Sequence, residues 1–420
     1  MKKADILILG AGCAGTSLAH YLEDLGYAGK IALLDSRTNF NREQRWCSWA
    51  KLPASIAPLV QKSWQNWTVG DENRLTTRTS ENFPYQQIYA PDFFNHFHSR
   101  WQNSETPVEL NLGEKVAEIK ENGEYVEVVT SRETWRANLV FDARHQGSTN
   151  LKNAKKNKGI YLHQTFLGWK VEFPRAVFDE KNATLMDFRT AQIDGVNFIY
   201  ILPYSDREAL IESTSFSRNP ATRSNHLNAV TKYIGENFGE DYDIKAEESG
   251  ELPMTTAKLP AKSGERIFNI GIAGGAARPS SGYAFHRIQR ETSEIARTIV
   301  DKKKIPQTFA SRKYDFFDAV FLESIVRNPA AAKDSFLRMF EKVSVDSLIR
   351  FLTEESSLTD ELAVINALPK VSFGKAGWQS LRRIFVAENE KDEKLESSHG
   401  TLHNSLDESA RRLVTRHVER

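Results

Sequence analysis

Two carboxyl side chains interrupt strongly apolar runs in the middle of the chain. Asp187 interrupts the run TLMDF at residues 184–188, and Glu212 interrupts the run ALIEST at residues 209–214. Apolar surroundings penalise the charged form of a carboxyl group and raise its pKa, so a sequestered acid can keep its proton at neutral pH. Such a group can act as a general acid. The alternative is that Glu212 faces solvent or pairs with a cation such as Arg189.

A second chemistry-bearing pattern is the glycine-rich segment GAGCAG near the N-terminus. Gly10 permits a tight turn, Gly12 lets a pyrophosphate approach the backbone, and Gly15 lets a helix pack closely on a strand. An apolar run precedes these glycines, and apolar residues at helical spacing follow them. The free N–H groups at the start of that helix can receive a phosphate. The pattern therefore predicts a strand, a phosphate-binding turn and a helix.

An acid follows the glycines at the distance typical of dinucleotide-binding folds. The run KIALL at residues 30–34 predicts a second buried strand, and Asp35 stands at its end, about 20 residues past the glycines. A carboxylate there can accept hydrogen bonds from ribose hydroxyl groups. FAD and NAD are both compatible with the motif, and its position at the start of the chain favours FAD.

Two later segments predict further parts of a nucleotide site. The run NLVFD at residues 138–142 reads as a buried strand that ends in Asp142. A late strand at residues 266–271 leads into Gly274 and Gly275, and a helix follows. A glycine-rich loop before a helix N-terminus fits a second phosphate or flavin contact.

The composition excludes several classes of protein. With 420 residues, of which 40% are hydrophobic and 26% charged, the chain can form two or three domains rather than a disordered or low-complexity protein. Its net charge of +1 provides no general attraction to nucleic acid. Two cysteines allow neither a disulfide framework nor a four-cysteine zinc site, and no metal site is predicted.

The order of the apolar patterns predicts an α/β (α+β) protein with three regions. We expect a Rossmann-like FAD-binding domain, an inserted antiparallel-sheet substrate domain and a helical C-terminal region. The predicted boundaries are 1–60, 110–160 and 262–305 for the FAD-binding domain, 61–109 and 161–261 for the substrate domain, 306–390 for the helical region, and 391–420 for a charged tail. The short apolar run at the N-terminus leads straight into the glycines and does not predict a signal peptide.

The chain resembles the flavin-dependent lycopene cyclase family of carotenoid biosynthesis in its bacterial form. The matching segments are distributed over residues 5 to about 387. Each matching segment is weak alone, but their order is specific. They are the glycine motif with Asp35, Trp46-Cys47-x-Trp49, VFDAR at 140–144, LMDFR at 185–189, Tyr200-x-Leu202-Pro203, ALIEST at 209–214, ESGELPMT at 248–255, GIAGG at 271–275, PSSGYAFHRIQ at 279–289 and YDFFDAVFL at 314–322.

The chain departs from the family pattern at a few positions near the predicted cavity. The family usually reads Arg-Thr-Trp-Cys-Phe-Trp where this chain has QRWCSW at residues 44–49. Glu251 replaces a small apolar residue, and His286 and Arg287 are more cationic than expected. These changes concern the exact substrate and end-group product rather than the fold.

The resemblance implies that a linear carotenoid, lycopene or a related one, is closed to β-ionone rings without net redox change. It implies reduced FAD as the active cofactor and NAD(P)H as the reductant. Glu212 stands at the family's catalytic glutamate position, as general acid or as stabiliser of the cation, and reduced flavin could share either role. Asp187 is a second catalytic candidate that would position or stabilise. The implied cofactor contacts are Gly10, Gly12, Gly15, Asp35, Asp142, Gly274 and Gly275.

Four aromatic side chains are candidates for the wall of the substrate cavity. They are Trp46, Trp49, Phe188 and Tyr283, and for each the alternative is ordinary core packing. Because the substrate is insoluble in water, we expect peripheral binding to the inner face of the cell membrane, through an apolar patch on the C-terminal helical region. The lysines at residues 302–304 could add attraction to anionic lipid.

Two other kinds of function stay open at the level of sequence. One is another FAD-dependent enzyme on the same fold, such as a monooxygenase, a halogenase or an isoprenoid reductase. A halogenase would carry a W-x-W-x-I-type motif with a catalytic lysine beside it, and Trp46-x-x-Trp49 has neither that spacing nor the lysine. The other is a non-catalytic flavin- or carotenoid-binding protein, against which an intact Glu212 argues.

Overall fold

The computed structural model describes residues 1–49, 51–103, 107–144, 149–156, 159–301, 305, 312–370 and 372–380. The predicted charged tail and the lysines at 302–304 lie outside these residues. The strands are β1 (Lys2–Leu9), β2 (Ile31–Asp35), β3 (Arg45–Ser48), β4 (Val60–Trp64), β5 (Asn66–Gly70), β6 (Leu75–Thr79), β7 (Tyr85–Tyr89), β8 (Val108–Leu112), β9 (Val116–Glu121), β10 (Val126–Thr130), β11 (Thr134–Asp142), β12 (Tyr161–Glu172), β13 (Asn182–Asp187), β14 (Val196–Pro203), β15 (Glu208–Ser217), β16 (Asp243–Thr255) and β17 (Ile267–Asn269). The helices are α1 (Cys13–Asp24), α2 (Ala90–Asn103), α3 (Thr149–Lys156), α4 (Arg223–Asn237), α5 (Phe285–Val300), α6 (Arg312–Arg327), α7 (Pro329–Lys342), α8 (Val345–Leu352) and α9 (Leu358–Ala367).

The first sheet is mainly parallel and carries the glycine motif. Its order is β8-β2-β1-β11-β10-β9, with β17 beside β11, and β9 and β10 are antiparallel. The second half of β1, from Ile6 to Leu9, and the first four residues of β2 are buried and apolar, as expected for strands covered on both faces. Helices α1 and α5 pack against each other. The α/β fold class predicted from the sequence is confirmed.

The second sheet carries both carboxyl groups that the sequence singles out. Its order is β16-β12-β15-β14-β13-β5-β6, and every pair is antiparallel except β13 with β5. Helix α4 packs on β12 and β15, while α7 packs on β5, β6 and β14. The sheet therefore has helices on both faces, and alternate residues of β15 point to opposite faces.

A small third sheet, β3-β7-β4, connects the two larger ones. Trp46 of β3 packs between Phe93 of α2 and Phe285 of α5, on the nucleotide side. Arg45 of the same strand reaches Glu248 in the second sheet. Consecutive side chains of β3 therefore point towards different large sheets, Trp46 to the first and Arg45 to the second.

The C-terminal region is helical through α6 to α9 and again at residues 372–380. Side chains of Asn328, Ser344 and Ser357 cap α7, α8 and α9, which explains where these helices begin. Among the described residues, no helix is both long and apolar enough to cross a bilayer. The domain boundaries given above stay a prediction.

Candidate active site

The glycine loop leaves an open cradle at the start of α1. Gly10 has a φ of +98°, and a Cβ on Gly15 would lie 2.0 Å from the carbonyl oxygen of Gly10. Gly12 is the N-cap residue and supplies no side-chain cap. A Cβ on Gly12 would meet Arg37 Nη2 first, at 3.6 Å. The uncapped N–H groups and the free space beside Gly12 fit a pyrophosphate.

Asp35 is fixed beside this loop as a charged carboxylate. The backbone N–H of Ala11 donates to its Oδ2 at 2.8 Å, and Arg37 donates from Nε to Oδ1 at 3.0 Å and from Nη2 to Oδ2 at 2.7 Å. Burial opposes the charge, but the hydrogen bonds from Arg37 and Ala11 outweigh it and hold the pKa of Asp35 below its usual value. The acid at the predicted ribose position is therefore ionised and tied to the loop.

The other predicted cofactor residues lie along the same edge of the first sheet. Asp142 is level with Leu9 across β1 and β11, and its carboxylate binds Arg144, whose Cγ lies 3.3 Å from where a Cβ on Gly10 would stand. After β17, a short turn at Gly271–Gly274 contacts α1, and Gly275 has a φ of +99°. The carboxyl ends of β1, β2, β11 and β17 thus bring all seven predicted cofactor residues to one edge.

Glu212 lies in a row of residues that runs across four strands of the second sheet. In register, Glu248 of β16 faces Gly168 of β12, Gly168 faces Glu212 of β15, and Glu212 faces Tyr200 of β14. A Cβ on Gly168 would lie 2.9 Å from Glu212 Cβ. Because that position has no side chain, the carboxyl groups of Glu212 and Glu248 can approach each other across β12, and each influences the pKa of the other.

An arginine holds the outer member of this carboxyl pair. Arg45 Nη1 donates to Glu248 Oε2 at 2.5 Å, and its Nη2 donates to Glu43 Oε2 at 2.9 Å. The side chains of Arg45 and Glu248 are each only 6% exposed. Thr214 Oγ1 donates to Glu212 Oε1 at 2.7 Å. The buried cluster therefore contains two carboxyl groups and one neighbouring cation.

The pKa of Glu212 is raised to about 8, mainly by burial and also by the nearby charge of Glu248, while Thr214 and Arg45 oppose the rise. Burial also raises the pKa of Glu248, against the lowering effect of Arg45. Two neighbouring carboxyl groups in a buried place cannot both ionise readily, so the pair keeps a proton at neutral pH.

Aromatic side chains surround the inner carboxyl group. Tyr200 donates its hydroxyl hydrogen bond to Tyr85 at 2.9 Å, and the hydroxyl groups of Tyr85 and Tyr283 are 3.2 Å apart. The Trp49 ring lies 4.4 Å from the Tyr85 ring and 5.5 Å from the Tyr283 ring. Cys47 contacts the same tyrosines, and burial raises the pKa of its thiol, so it is a packing residue and not a nucleophile.

Two adjoining clefts open beside these rings. The first has a volume of about 380 Å³, including space open to solvent, and is lined by Cys47, Ser48, Trp49, Arg278, Tyr283, His286, Arg287, Leu352, Thr353 and Glu354. The second has a volume of about 310 Å³, also including open space, and shares Arg278 and Leu352 with the first; its other lining residues are Ser280, Ser281, Phe317, Asp318, Phe321, Phe336, Met339 and Phe351. The shared residues make the two clefts neighbours, and the second lies against side chains of the C-terminal helices.

Four buried polar atoms on the first cleft have no hydrogen-bond partner among the described residues. They are Trp49 Nε1, His286 Nε2, Arg287 Nη1 and Glu354 Oε1, and Glu354 Oε1 also forms an ion pair with Arg287 Nε at 3.4 Å. His286 and Arg287 lie in the first turn of α5, whose N-terminus has no side-chain cap. Burying such groups without partners is costly, so the cleft fits the polar edge of a bound ligand that has both hydrogen-bond donors and acceptors.

The structure separates Asp187 from Glu212. Asp187 binds Arg189 at 2.6 Å and accepts a hydrogen bond from Tyr233 of α4 at 2.5 Å. Ser213, the neighbour of Glu212, is 3.0 Å from His226 of the same helix. Because consecutive strand residues point to opposite faces, Glu212 lies on the face away from α4 and Asp187 on the face towards it.

Of the four aromatic residues predicted to line the substrate cavity, two lie on the first cleft and two lie elsewhere. Trp49 and Tyr283 lie on the cleft beside Glu212. Trp46 instead packs in the nucleotide-side core, and Phe188 is fully buried against Phe336 in the core shared with the C-terminal helices. Among the described residues, no group of His, Cys, Asp or Glu side chains could hold a metal ion.

Sequence reasoning assigned no role to Glu248, Arg45, Gly168 or Tyr200. The sequence did contain a signal for two of them. Glu248 belongs to the segment ESGELPMT that resembles the family, and Gly168 stands inside an alternating strand pattern, where glycine often marks a close approach.

Comparison with known proteins agrees with this geometry. The lycopene cyclase protein family model matches residues 5–376. The chain is 23% identical to the lycopene beta-cyclase of Pantoea ananas, over 87% of this chain and 95% of that protein. A geranylgeranyl bacteriochlorophyll reductase-like protein from Thermoplasma acidophilum has the same fold, with a TM-score of 0.59, 14% identity and coverage of 89% of this chain and 98% of that chain. A halogenase in complex with FAD has a TM-score of 0.55 at 14% identity, covering 83% of this chain and 78% of that one. The family model spans most of the chain, and the protein therefore belongs to the lycopene cyclase family.

Proposed function

We propose that this protein is a lycopene cyclase that closes β-ionone rings on lycopene or a related linear carotenoid, with Glu212 as the general acid. The observation that carries the proposal is a protonated carboxyl group buried among aromatic rings beside an apolar cleft. Relatives named lycopene beta-cyclase support the β ring type. We assign Asp187 no part in the reaction, because it lies on the other face of the sheet.

The chain's own residues would perform a proton transfer followed by ring closure. The O–H bond of Glu212 breaks as the terminal double bond of the polyene uses its electron pair to form a C–H bond. The next double bond attacks the resulting cation, and loss of a ring proton restores neutrality, so no electrons are gained or lost overall. Tyr85, Tyr200 and Trp49 exclude water and turn aromatic faces and hydroxyl dipoles towards the cation.

We propose FAD in reduced form as the cofactor, with NAD(P)H as its reductant. The open space at Gly12 fits the pyrophosphate, Asp35 fits the ribose, and the unpartnered atoms of His286 and Arg287 at the start of α5 fit the polar edge of the flavin ring. The FAD-bound halogenase of the same fold supports this choice. When bound, the reduced flavin would supply an electron-rich surface beside the cation.

Expression in a lycopene-accumulating bacterial strain tests the proposed function. We expect the red pigment to become yellow or orange, because ring closure twists the end groups out of conjugation. Mass and absorption analysis of the pigment would identify β rings. Unchanged red pigment together with well-folded, flavin-loaded protein would contradict the proposal and favour a reductase, a monooxygenase or a carrier.

We expect cyclase activity to fall as the pH rises through about 8, the value to which burial raises the pKa of Glu212. An acid must carry its proton to donate it, so the active fraction is full below that pH and decreases about tenfold for each pH unit above it. Initial rates over the pH range, with flavin absorbance as the control for folding, give the profile. A loss of activity near the ordinary pKa of a glutamate would contradict the assignment.

We also propose that the protein binds the membrane surface through α9, on the cytoplasmic side. Leu358, Leu362 and Ile365 are 75%, 58% and 47% exposed, and their spacing places them on one face of the helix. The acids of α9 point inward, where Asp360 binds Arg350 and Glu361 binds Lys313. Exposed Trp378, with Lys370 and Lys375 nearby in the chain, adds an interfacial aromatic side chain and positive charge towards anionic lipid.

Replacing Leu362 with Glu should weaken binding to vesicles of phosphatidylethanolamine and phosphatidylglycerol by about tenfold or more, because a charge must then enter the apolar layer. Vesicle flotation measures the bound fraction. Ile193→Glu is the matched control, since Ile193 is 61% exposed and far from the C-terminal helices in sequence. Equal loss of binding in both variants, or none in Leu362→Glu, would contradict the assignment of α9.

A further inference from the structure

We propose that Glu248 is a positioning residue for Glu212, that the two carboxyl groups hold one proton as a pair, and that Arg45 places this proton on Glu212. The inference rests on the proposed function, in which Glu212 is the acid. It adds a second carboxyl group and a cation, drawn from two other strands, to the part of the chain that handles the proton.

The pair depends on a missing side chain. Strands β15 and β16 are separated by β12, so the two glutamates are about 9.5 Å apart at the backbone, two strand spacings. Side chains at the intervening position would normally fill that gap. Gly168 occupies it, and a Cβ there would already lie 2.9 Å from Glu212 Cβ and 3.1 Å from Leu210 Cδ1. The glycine is the reason that the two carboxyl groups can touch.

The position of Arg45 decides which carboxyl group is charged. Its guanidinium donates directly to Glu248, while Glu212 receives only the hydroxyl of Thr214. A charge-assisted hydrogen bond stabilises the ionised form of its acceptor more than a neutral one does. The negative charge therefore stays on Glu248 beside Arg45, and the proton stays on Glu212 beside the aromatic cleft.

The pair also accounts for the return of the proton. After Glu212 has donated it to the polyene, both carboxyl groups are charged and share a single guanidinium in a buried place. Their mutual repulsion increases the proton affinity of the pair. When the ring C–H bond breaks, the released proton can return to the pair, which completes the cycle without net gain or loss of protons.

The other titratable groups around the two glutamates are either tyrosine and cysteine side chains, which are weaker acids, or members of the ion pair between Arg45 and Glu43. Burial raises the pKa of the surrounding tyrosines and of the Cys47 thiol, so these groups are neutral over the working pH range. The groups are Arg45, Cys47 and the preceding Glu43 beside β3, Tyr200 and Tyr204 at β14, Tyr85 of β7 and Tyr283 ahead of α5.

Two substitutions should move the alkaline limb of the activity profile in opposite directions. Glu248→Gln removes the negative charge beside Glu212 and leaves Arg45 paired only with Glu43, so the pH at which activity is lost should fall by about one unit or more. Arg45→Gln removes the cation, so the pH at which activity is lost should rise. Arg45→Lys keeps the charge, so this pH should stay closer to the wild-type value. Flavin absorbance and the melting temperature show whether each variant has folded.

A merely structural role would lower the rate of both variants and leave the limb in place, and that result would overturn the proposal. Infrared difference titration of the flavin-loaded protein without substrate gives an independent readout. We expect a protonated-carboxyl band that disappears on raising the pH, is absent in Glu212→Gln and titrates lower in Glu248→Gln.

The infrared titration distinguishes a failure of the proposed carboxyl pair from a failure of the proposed cyclase function. If the band behaves as expected and lycopene is not cyclised, the pair stands and the proposed function fails. If lycopene is cyclised and no shared-proton band titrates in the alkaline range, the function stands and the pair fails.

Discussion

Replacing Glu212 with Gln is expected to reduce cyclisation by about a thousandfold, to the limit of detection, while the protein still binds FAD. Glutamine has nearly the same shape and can still accept the hydrogen bond from Thr214, but it has no acidic proton to donate. Purified protein, incubated with solubilised lycopene without oxygen, would be assayed by separation of the pigments.

The matched control is Glu208→Gln, the same change on the same strand. Glu208 lies near the other end of β15 and pairs with Lys170 at 2.9 Å, away from the carboxyl pair. It should retain most of the wild-type activity. If Glu212→Gln remained within tenfold of the wild type, Glu212 would not be the acid, and the proton would have to come from elsewhere in the cleft.

Replacing Gly15 with Ala is expected to yield protein without flavin and with reduced stability. The added Cβ would lie 2.0 Å from the carbonyl oxygen of Gly10 and 3.1 Å from Ile8 Cγ2. Two rigid backbone segments would have to move apart, which should cost about 3 kcal/mol in the free energy of unfolding. Flavin content after purification and chemical denaturation of the apoprotein measure the two effects.

Gly12→Ala separates cofactor binding from packing. A Cβ at Gly12 has no neighbour nearer than Arg37 Nη2 at 3.6 Å, so the apoprotein should be about as stable as the wild type. The methyl group would still occupy the space through which a pyrophosphate approaches the backbone, so FAD should bind more weakly. A Gly15→Ala protein with normal stability and full flavin would contradict the packing assigned to this loop.

The local parts of the fold could be predicted because their signals are short in sequence. The apolar run, the glycines and the helical spacing predicted β1, the turn and α1, and the structure has these elements in that order. The burial of Glu212 could also be expected, because both faces of β15 are covered and the run around it is apolar.

The sequence did not indicate to which face of the sheet each acidic side chain points. Asp187 and Glu212 both interrupt apolar runs, yet they lie on opposite faces of one sheet. The pairing of β13 is irregular between Thr184 and Asp187, and a shift of one residue turns a side chain to the other face. Such a bulge depends on contacts with neighbouring strands, which a pattern within one strand does not contain.

A repeated local motif did carry information about Asp187. Asp35, Asp142 and Asp187 each end a strand, and each binds the arginine two residues later through both carboxylate oxygens. Read as one pattern, Asp-x-Arg indicates an aspartate that is paired with an arginine. Glu212 has no arginine at that spacing, which sets it apart as the acid that can stay protonated.

The carboxyl pair itself depends on contacts between distant parts of the chain. Arg45, Gly168 and Glu248 come from three strands that adjoin only in the folded protein. The departures from the family pattern proved to be informative in a similar way. His286 and Arg287 line the first cleft with unpartnered polar atoms, which places both residues where we propose the flavin ring. Burial lowers the pKa of His286, so its imidazole is neutral there, and Arg287 provides the positive charge.

The most direct test of the central claim is the mass of the pigment formed in D₂O. Flavin-loaded protein, reduced and equilibrated in D₂O, would be given lycopene for a single turnover. If a protein acid starts ring closure, the first ring formed gains one deuterium in exchange for one hydrogen, and the product is otherwise an isomer of lycopene. A product that has gained oxygen, gained or lost a pair of hydrogens, or formed its first ring without deuterium would contradict proton-initiated cyclisation.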